Sequence, residues 1–411
     1  MTTALALYGA ATRLLEPLAP LALKARARRG KEDPGRVGER LGRSDRPRPP
    51  GPLLWLHGVS VGESVSLLPL VEALRARRPH VTVLVTSGTV TSAEVLAKRL
   101  PAGVIHQYAP VDTPGIVARF LEHWRPDLAV FVESELWPNL ITAARDRGVR
   151  LALLSARMTE ASARGWSRAP ASARALLGAF DLVMPQDDAV AARLAGLGAA
   201  AGETLNLKRV GKPLDERPKD LARLRDILGP RRIVLAASTH PGEEALIADA
   251  LRGLDALLIL APRHPERGPD LARRFDAPRR SADALPSPET RVYVADTLGE
   301  LGLFFRLADV TIMGGSLLPG IGGHNPLEPA RSEAAIVTGP HVFNAADLYA
   351  EMLAEGAALQ VESPEALRAA VERLLNDRAA ARRLGKAARA YAERQGAQLD
   401  VALAALEPLL P

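Results

Sequence analysis

The feature that most restricts this chain is a rhythm, in which short and almost wholly apolar runs alternate with longer stretches of helical periodicity. Residues 53–57, 81–86, 127–132 and 150–154 read as strands, and residues 64–78, 91–99, 115–124 and 137–147 as the helices between them. A strand that is apolar on both faces must be covered on both faces, so the expectation is a mostly parallel sheet with helices on either side. After a polar, proline-containing stretch the rhythm restarts, with strands at 233–237, 256–260, 291–294, 309–313 and 335–338 and helices at 242–253, 298–307 and 345–355. The fold class expected is therefore α/β, with two doubly wound, Rossmann-like domains. A chain of 411 residues is in any case too long for one hydrophobic core. The divisions predicted are an amino-terminal segment 1–45, a first domain 46–207, a linker 208–220 and a second domain 221–411. Two such domains in tandem predict a ligand crevice between them, at the carboxyl ends of the strands.

Composition narrows the chemistry. Without cysteine there is no disulfide, thiolate metal site or cysteine nucleophile. The formal charge of +6 favours an anionic partner, while only 4% aromatic residues and no basic-aromatic interleaving speak against stacking on nucleic acid. Residues 2–23 are mostly Ala and Leu, but Arg13, Glu16, Pro17 and Pro20 interrupt them, so a spanning helix is not expected. Lys24, Arg26, Arg28, Arg29 and Lys31 follow, an order that suits either a helix lying in an anionic membrane interface or an amphipathic helix packed on the protein.

Candidate residues cluster after the predicted strands. Ser60-Val61-Gly62-Glu63 follows the first strand and opens a helix. Glu63 there is either a general base at the crevice or the reciprocal partner of Ser60 in a capping box. Glu133 and Glu135, in the run Glu133-Ser134-Glu135-Leu136-Trp137-Pro138-Asn139, follow the strand 127–132 and are either site carboxylates or a charged loop. In the second half, Arg263 offers a donor fork to phosphate or carboxylate. Gly314-Gly315-Ser316 reads as a possible phosphate loop, and free amides at a helix beginning near Pro326 as a further phosphate site, with Glu328 facing a ribose or base. No His/Asp/Glu spacing points to a metal site, and no cofactor is implied. His57 and His324 lie in crevice loops, and no Gly-x-Ser-x-Gly elbow is present.

Taken in order, these segments resemble the bacterial 3-deoxy-D-manno-octulosonic acid (Kdo) transferases. The resemblance is carried by Arg29-Gly30-Lys31-Glu32-Asp33, Val59-Ser60-Val61-Gly62-Glu63, Glu133 to Asn139, Asn206-Leu207-Lys208 and Ala237-Ser238-Thr239-His240. It continues through Pro262-Arg263-His264-Pro265-Glu266-Arg267, Asp296-Thr297-Leu298-Gly299-Glu300-Leu301 and His324-Asn325-Pro326-Leu327-Glu328-Pro329. The chain departs from the family pattern at Gly58, where relatives usually have Ala, and at Leu205, where many have Gly.

The resemblance implies a GT-B fold and transfer of Kdo from CMP-Kdo to a lipid A precursor (lipid IVA) at the cytoplasmic face of the bacterial inner membrane. It also implies that Glu63 is the general base, that Glu133, Glu135 and Lys208 assist near the transferring sugar, and that Pro262, Arg263, Gly299, Glu300, Leu301, Asn325 and Glu328 contact CMP. Metal-independent, inverting displacement is the mechanism expected. Three other readings make different predictions: a GT-B enzyme using a UDP sugar prefers UDP to CMP, a non-catalytic nucleotide binder binds CMP without turnover, and a nucleic-acid binder shows steep salt dependence.

Overall fold

In this computed structural model, residues 2–211 and 213–411 are described. Met1, at the start of the predicted amino-terminal segment, and Lys212, inside the predicted linker, lie outside the described residues. The chain forms two compact units, Met1–Gly211 with Ala397–Pro411, and Lys212–Gly396.

The first unit is built on β1 (Leu53–His57), β2 (Thr82–Ser87), β3 (Ile105–Tyr108), β4 (Leu128–Val132), β5 (Arg150–Ala156) and β6 (Leu182–Pro185). All neighbours pair in parallel in the order β3-β2-β1-β4-β5-β6, and in the centre Trp55 stands between Leu84 and Ala129. Every residue of β1 and β4 is buried, as strands covered on both faces require. One face packs Trp55 against Phe120 and Phe131, with ring centroids 4.9 and 5.3 Å apart. The other buries Leu54 and Leu56 with Leu67, Leu70 and Val71 of the helix Val61–Arg77.

The second unit repeats the plan with β7 (Ile233–Thr239), β8 (Leu257–Pro262), β9 (Val292–Val294), β10 (Val310–Met313), β11 (Ile336–Thr338) and β12 (Leu359–Gln360), in the parallel order β12-β11-β10-β7-β8-β9. Strand order reverses between β1 and β4 in one sheet and between β7 and β10 in the other. At each reversal the loops leaving neighbouring carboxyl ends run in opposite directions, and the gap between them is where a doubly wound sheet receives a ligand.

Three strands, β3, β6 and β12, do not appear in the sequence reading. All three are sheet edges: β3 carries His106 and Gln107, and β12 has two residues. An edge strand is half-covered and short, so it lacks the apolar run that marks a central one. The predicted second domain, 221–411, also ends differently. Residues 397–411 group with the first unit, because Ala402, Leu403 and Leu406 near the end of the helix Arg378–Leu406 fill the core beside Leu54 and Leu56.

The amino-terminal segment forms the helices Thr3–Leu15 and Ala19–Ala27, joined by the turn Glu16–Leu18. Leu5, Ala19 and Leu23 are buried against the first unit. Glu16 Oε2 accepts from Thr113 Oγ1 and the Gly115 N–H, each at 2.8 Å, and Tyr8 donates to Asp112 at 3.0 Å. The outward residues Leu7, Leu14, Leu15, Leu18 and Leu21 stay exposed, Leu14 at 81%. No helix among the described residues is long and apolar enough to cross a membrane.

Candidate active site

Ser60 ends the loop after β1 in an extended conformation and caps the helix Val61–Arg77, its Oγ accepting from the Glu63 N–H at 3.3 Å. Glu63 reaches back, with Oε2 accepting from the Val59 N–H and Oε1 from Ser60 Oγ, both at 2.7 Å. The capping box is therefore formed. Two of the roughly four lone-pair directions of the carboxylate are used. Gly58 makes this return possible at close range: a Cβ built there would stand 3.1 Å from Glu63 Cβ.

Across the strand reversal, Glu133 leaves β4 in the left-handed region at φ 61°. For a residue with a Cβ this conformation is costly and persists only where the surroundings impose it. Its buried carboxylate lies 2.5 Å from Lys208 Nζ. Lys208 is delivered by the turn Leu207–Arg209, which Asn206 caps by accepting from the Lys208 N–H at 3.1 Å, and its Cε lies 3.6 Å from where a Cβ on Gly62 would be. Leu205, unexpected at its position, is fully buried in the core and accordingly does not disturb this turn.

Glu135 is also buried. Trp137 Nε1 donates to its Oε2 at 2.5 Å, and His57 Nε2 lies 3.8 Å from the same oxygen. Burial pushes the Glu135 carboxyl up to about 7, the Trp137 bond pulling the other way and the charges of Glu63 and Glu133 adding to the rise. His57, 1% exposed, is lowered to about 3 by burial and by the Arg40 charge, so it is neutral. Its Nδ1 lies 2.8 Å from Thr86 Oγ1, while Nε2 has no hydrogen-bond partner among the described residues. The predicted Glu63, Glu133, Glu135 and Lys208 are thus brought together. Thr86, which holds His57, was not signalled by any motif.

Beside them lies a pocket of about 440 Å³ lined by Leu23, Arg26, Arg40, His57, Val59, Gly88, Thr89 and Trp137. It combines an apolar wall from the amino-terminal helix with two guanidinium groups.

In the second unit the predicted residues lie at and beyond the carboxyl ends of β8, β9 and β10, and several of the backbone amides expected to receive a phosphate are already engaged. Glu243, 0% exposed, accepts from the Gly315 N–H at 2.7 Å and the Leu317 N–H at 3.1 Å. Ser316 is fully buried, its Oγ donating to the Met313 carbonyl and accepting from the Gly339 N–H. The reading of Gly315 and Ser316 as a phosphate loop is therefore corrected: an internal carboxylate occupies the place of the anion. The helix Leu327–Ala330 is a single turn, and Asn325 Oδ1 takes its first N–H, that of Leu327, at 3.0 Å. That one amide is therefore not open to a phosphate.

Arg263 is exposed, and its guanidinium makes no hydrogen bond or ion pair to the described residues. Pro262 is buried at the end of β8, and Glu328 is half-buried with Arg331 in its field. Glu300, 3% exposed, is committed: Oε1 accepts from Arg217 at 2.7 Å and Arg280 at 2.8 Å, and Oε2 from Arg280 at 3.1 Å and from Thr297. What faces outward beside it is the turn at Gly299, with φ 80° and open space around its Cα. Leu301 opens the following helix.

Residues 35–210 match the family model described as 3-deoxy-D-manno-octulosonic-acid transferase (kdotransferase). The chain is 34% identical to a 3-deoxy-D-manno-octulosonic acid transferase of Bordetella pertussis over 430 residues, covering 98% of this chain and 99% of that one. The chain belongs to the Kdo transferase family. It is 35% identical, over 90% of its length and 88% of the relative's, to a probable mitochondrial Kdo transferase of Arabidopsis thaliana. A glycosyltransferase structure from Rickettsia africae superposes with a TM-score of 0.57 at 12% identity, covering 87% of this chain and 98% of that one. A UDP-GlcNAc 2-epimerase from Neisseria meningitidis gives 0.56 at 10%, covering 87% and 100%. At these identities the likeness is one of fold, the GT-B class of two α/β units. The chain is a glycosyltransferase, and the family inferred from its motifs is the one the comparisons return.

For this Kdo transferase the raised Glu135 gives a pH test. A carboxyl whose folded pKa lies above its unfolded value near 4.5 stabilises the fold fully below that value, and the contribution is lost as pH rises towards about 7. Glu135→Gln cannot ionise, so chemical denaturation should find it gaining on the parent between pH 5 and 8, by on the order of 2 kcal/mol. An unchanged difference across that range would contradict the assignment.

Proposed function

We propose that the protein transfers Kdo from CMP-Kdo to a sugar hydroxyl of a lipid A precursor, with inversion, at the cytoplasmic face of the inner membrane. The observation that carries this reading is the convergence of Glu63, Glu133, Glu135 and Lys208 at the strand reversal of the first unit, beside the apolar and cationic pocket. Glu63 takes the proton of the acceptor hydroxyl as its oxygen attacks the anomeric carbon and CMP departs. Lys208, paired with Glu133, brings a cation to the anionic sugar. Arg26, half exposed although its Nε is paired to the buried Glu32 that Arg40 also faces, suits a phosphorylated headgroup, and the wall that includes Leu23 suits its acyl neighbours. In the second unit Pro262, Arg263, the Gly299–Leu301 turn, Asn325 and Glu328 are the groups offered to CMP. Neutralisation of the departing phosphate falls to side chains such as Arg263, so transfer needs no divalent cation and EDTA should leave the rate unchanged. The direct test is lipid product formation from CMP-Kdo.

The membrane side of this reading rests on the outward leucines and the exposed Arg13, Lys24, Arg28, Arg29 and Lys31. Leu14→Ser with Leu21→Ser removes apolar surface that is mostly exposed, so the melting temperature should change little. Partition into anionic vesicles should fall at least about tenfold, since burying a leucine contributes roughly 1.5–3 kcal/mol. Undiminished sedimentation with vesicles would contradict an interfacial role for this face.

A further inference from the structure

The loops leaving β7, β8 and β10 hold three histidines that no motif role accounts for. His240 and His324 stack at 5.1 Å with their planes 10° apart, and their Nε2 atoms are 2.9 Å from each other. His264 meets His240 edge-on at 6.0 Å. Two Nε2 atoms at hydrogen-bond distance share one proton, so one ring donates and the other accepts. Whichever ring donates through Nε2 keeps an unprotonated Nδ1, so the neutral pair has one nitrogen open to a further proton.

The charges around the pair are balanced against that proton until an anion arrives. Glu243, buried beneath and accepting from the His240 N–H at 2.9 Å, favours a cation. Burial, Arg263, His264 and Arg267 oppose it, although Arg267 is itself paired to Glu244 at 2.7 Å. The Gly315 amide is held by Glu243 and the Leu327 amide by Asn325, so neither of these backbone donors is open to a phosphate. Arg263, His264 and the half-buried imidazole pair stand at the same loops and can receive one. We infer that His240 and His324 form a phosphate-binding pair for the nucleotide donor, in which one solvent proton is taken up on the pair's open Nδ1 as the phosphate binds. The inference deepens the CMP-Kdo reading above and rests on it. An imidazolium in this pair, above the buried Glu243, would stabilise the dianion that CMP becomes when the glycosidic oxygen–carbon bond breaks.

The test compares CMP with cytidine, which shares the base and ribose but has no phosphate, by calorimetric titration of the full-length protein and of His240→Gln and His324→Gln. Gln retains a nitrogen donor near Nε2 but cannot carry the charge. Each variant should weaken CMP about 10–100-fold, as expected for a lost charge-assisted bond, and leave cytidine within about twofold. Near pH 7.5, above the second phosphate ionisation at about 6, titration in buffers of different ionisation enthalpy should show net proton uptake for the parent and none for His240→Gln. Equal losses for CMP and cytidine would mean that the pair only supports the loops. Unchanged CMP affinity in both variants, or no proton uptake in the parent, would also overturn it. A parent that does not bind CMP would instead overturn the donor reading, and the pair's role with it.

Discussion

Glu63→Gln is expected to lower turnover by about 10²–10⁴-fold, the range that general-base catalysis contributes, with nucleotide binding little changed. The geometry makes this a sharp comparison, because the same carboxylate completes a capping box with the Val59 N–H and Ser60 Oγ. An amide of the same size keeps one acceptor oxygen for that box, and Ser60 Oγ can rotate to receive the amide N–H. A purely capping residue therefore predicts a nearly normal enzyme that has lost at most about 1 kcal/mol of stability. Catalysis requires an atom that can take a proton, which the amide lacks. Turnover within a few-fold of the parent, at saturating donor and acceptor, would move the base to Glu133 or Glu135.

Glu300→Ala should cause the largest loss of stability. It removes the centre of a cluster in which Arg280 makes two contacts and Arg217 and Thr297 one each, leaving the Arg280 guanidinium, only 15% exposed, without its main partner. Breaking a buried pair from one side costs about 3–5 kcal/mol, and the 40% exposure of Arg217 places this case near about 3. For a unit of this size that is roughly a 6–12 °C fall in melting temperature. Burial pushes the Glu300 carboxyl up, but the bonds from Arg280 and Thr297 and the charges of Arg280 and Arg217 outweigh it and hold it below 4.5. The contribution is therefore present above pH 4.5 and lost as pH falls through the depressed folded value, so parent and variant should converge in acid. A fall of less than about 1 kcal/mol at neutral pH would mean that the cluster is only a solvated surface network.

The central strands were legible because burial on both faces leaves an apolar run that nothing else in a chain of this kind produces. The edges β3, β6 and β12 were not, since half-covered strands tolerate residues such as His106 and Gln107. The candidate site of the first unit was legible as motifs. Its internal order was not, because no local pattern reveals that Thr86 holds His57 or that Lys208 reaches Glu133. Glycine-rich runs were the least reliable guide. Gly315 and the residues before Leu327 look like phosphate loops until Glu243 and Asn325 are seen to hold their amides, and Glu243 comes from a helix far earlier in the chain. The last residues were assigned to the wrong unit for a similar reason, since helical periodicity identifies a buried face but not the sheet that buries it.

The central claim is the transfer itself, and it is tested most directly by incubating the full-length protein in EDTA with CMP-Kdo and a tetra-acylated lipid A precursor, then weighing the lipid by mass spectrometry. The lipid is expected to gain the mass of one or more Kdo residues, CMP to be released in equal amount, and Glu63→Gln to give almost none of the product. Lipid of unchanged mass while CMP binds normally would contradict it, as would a product that appears only after a divalent cation is restored.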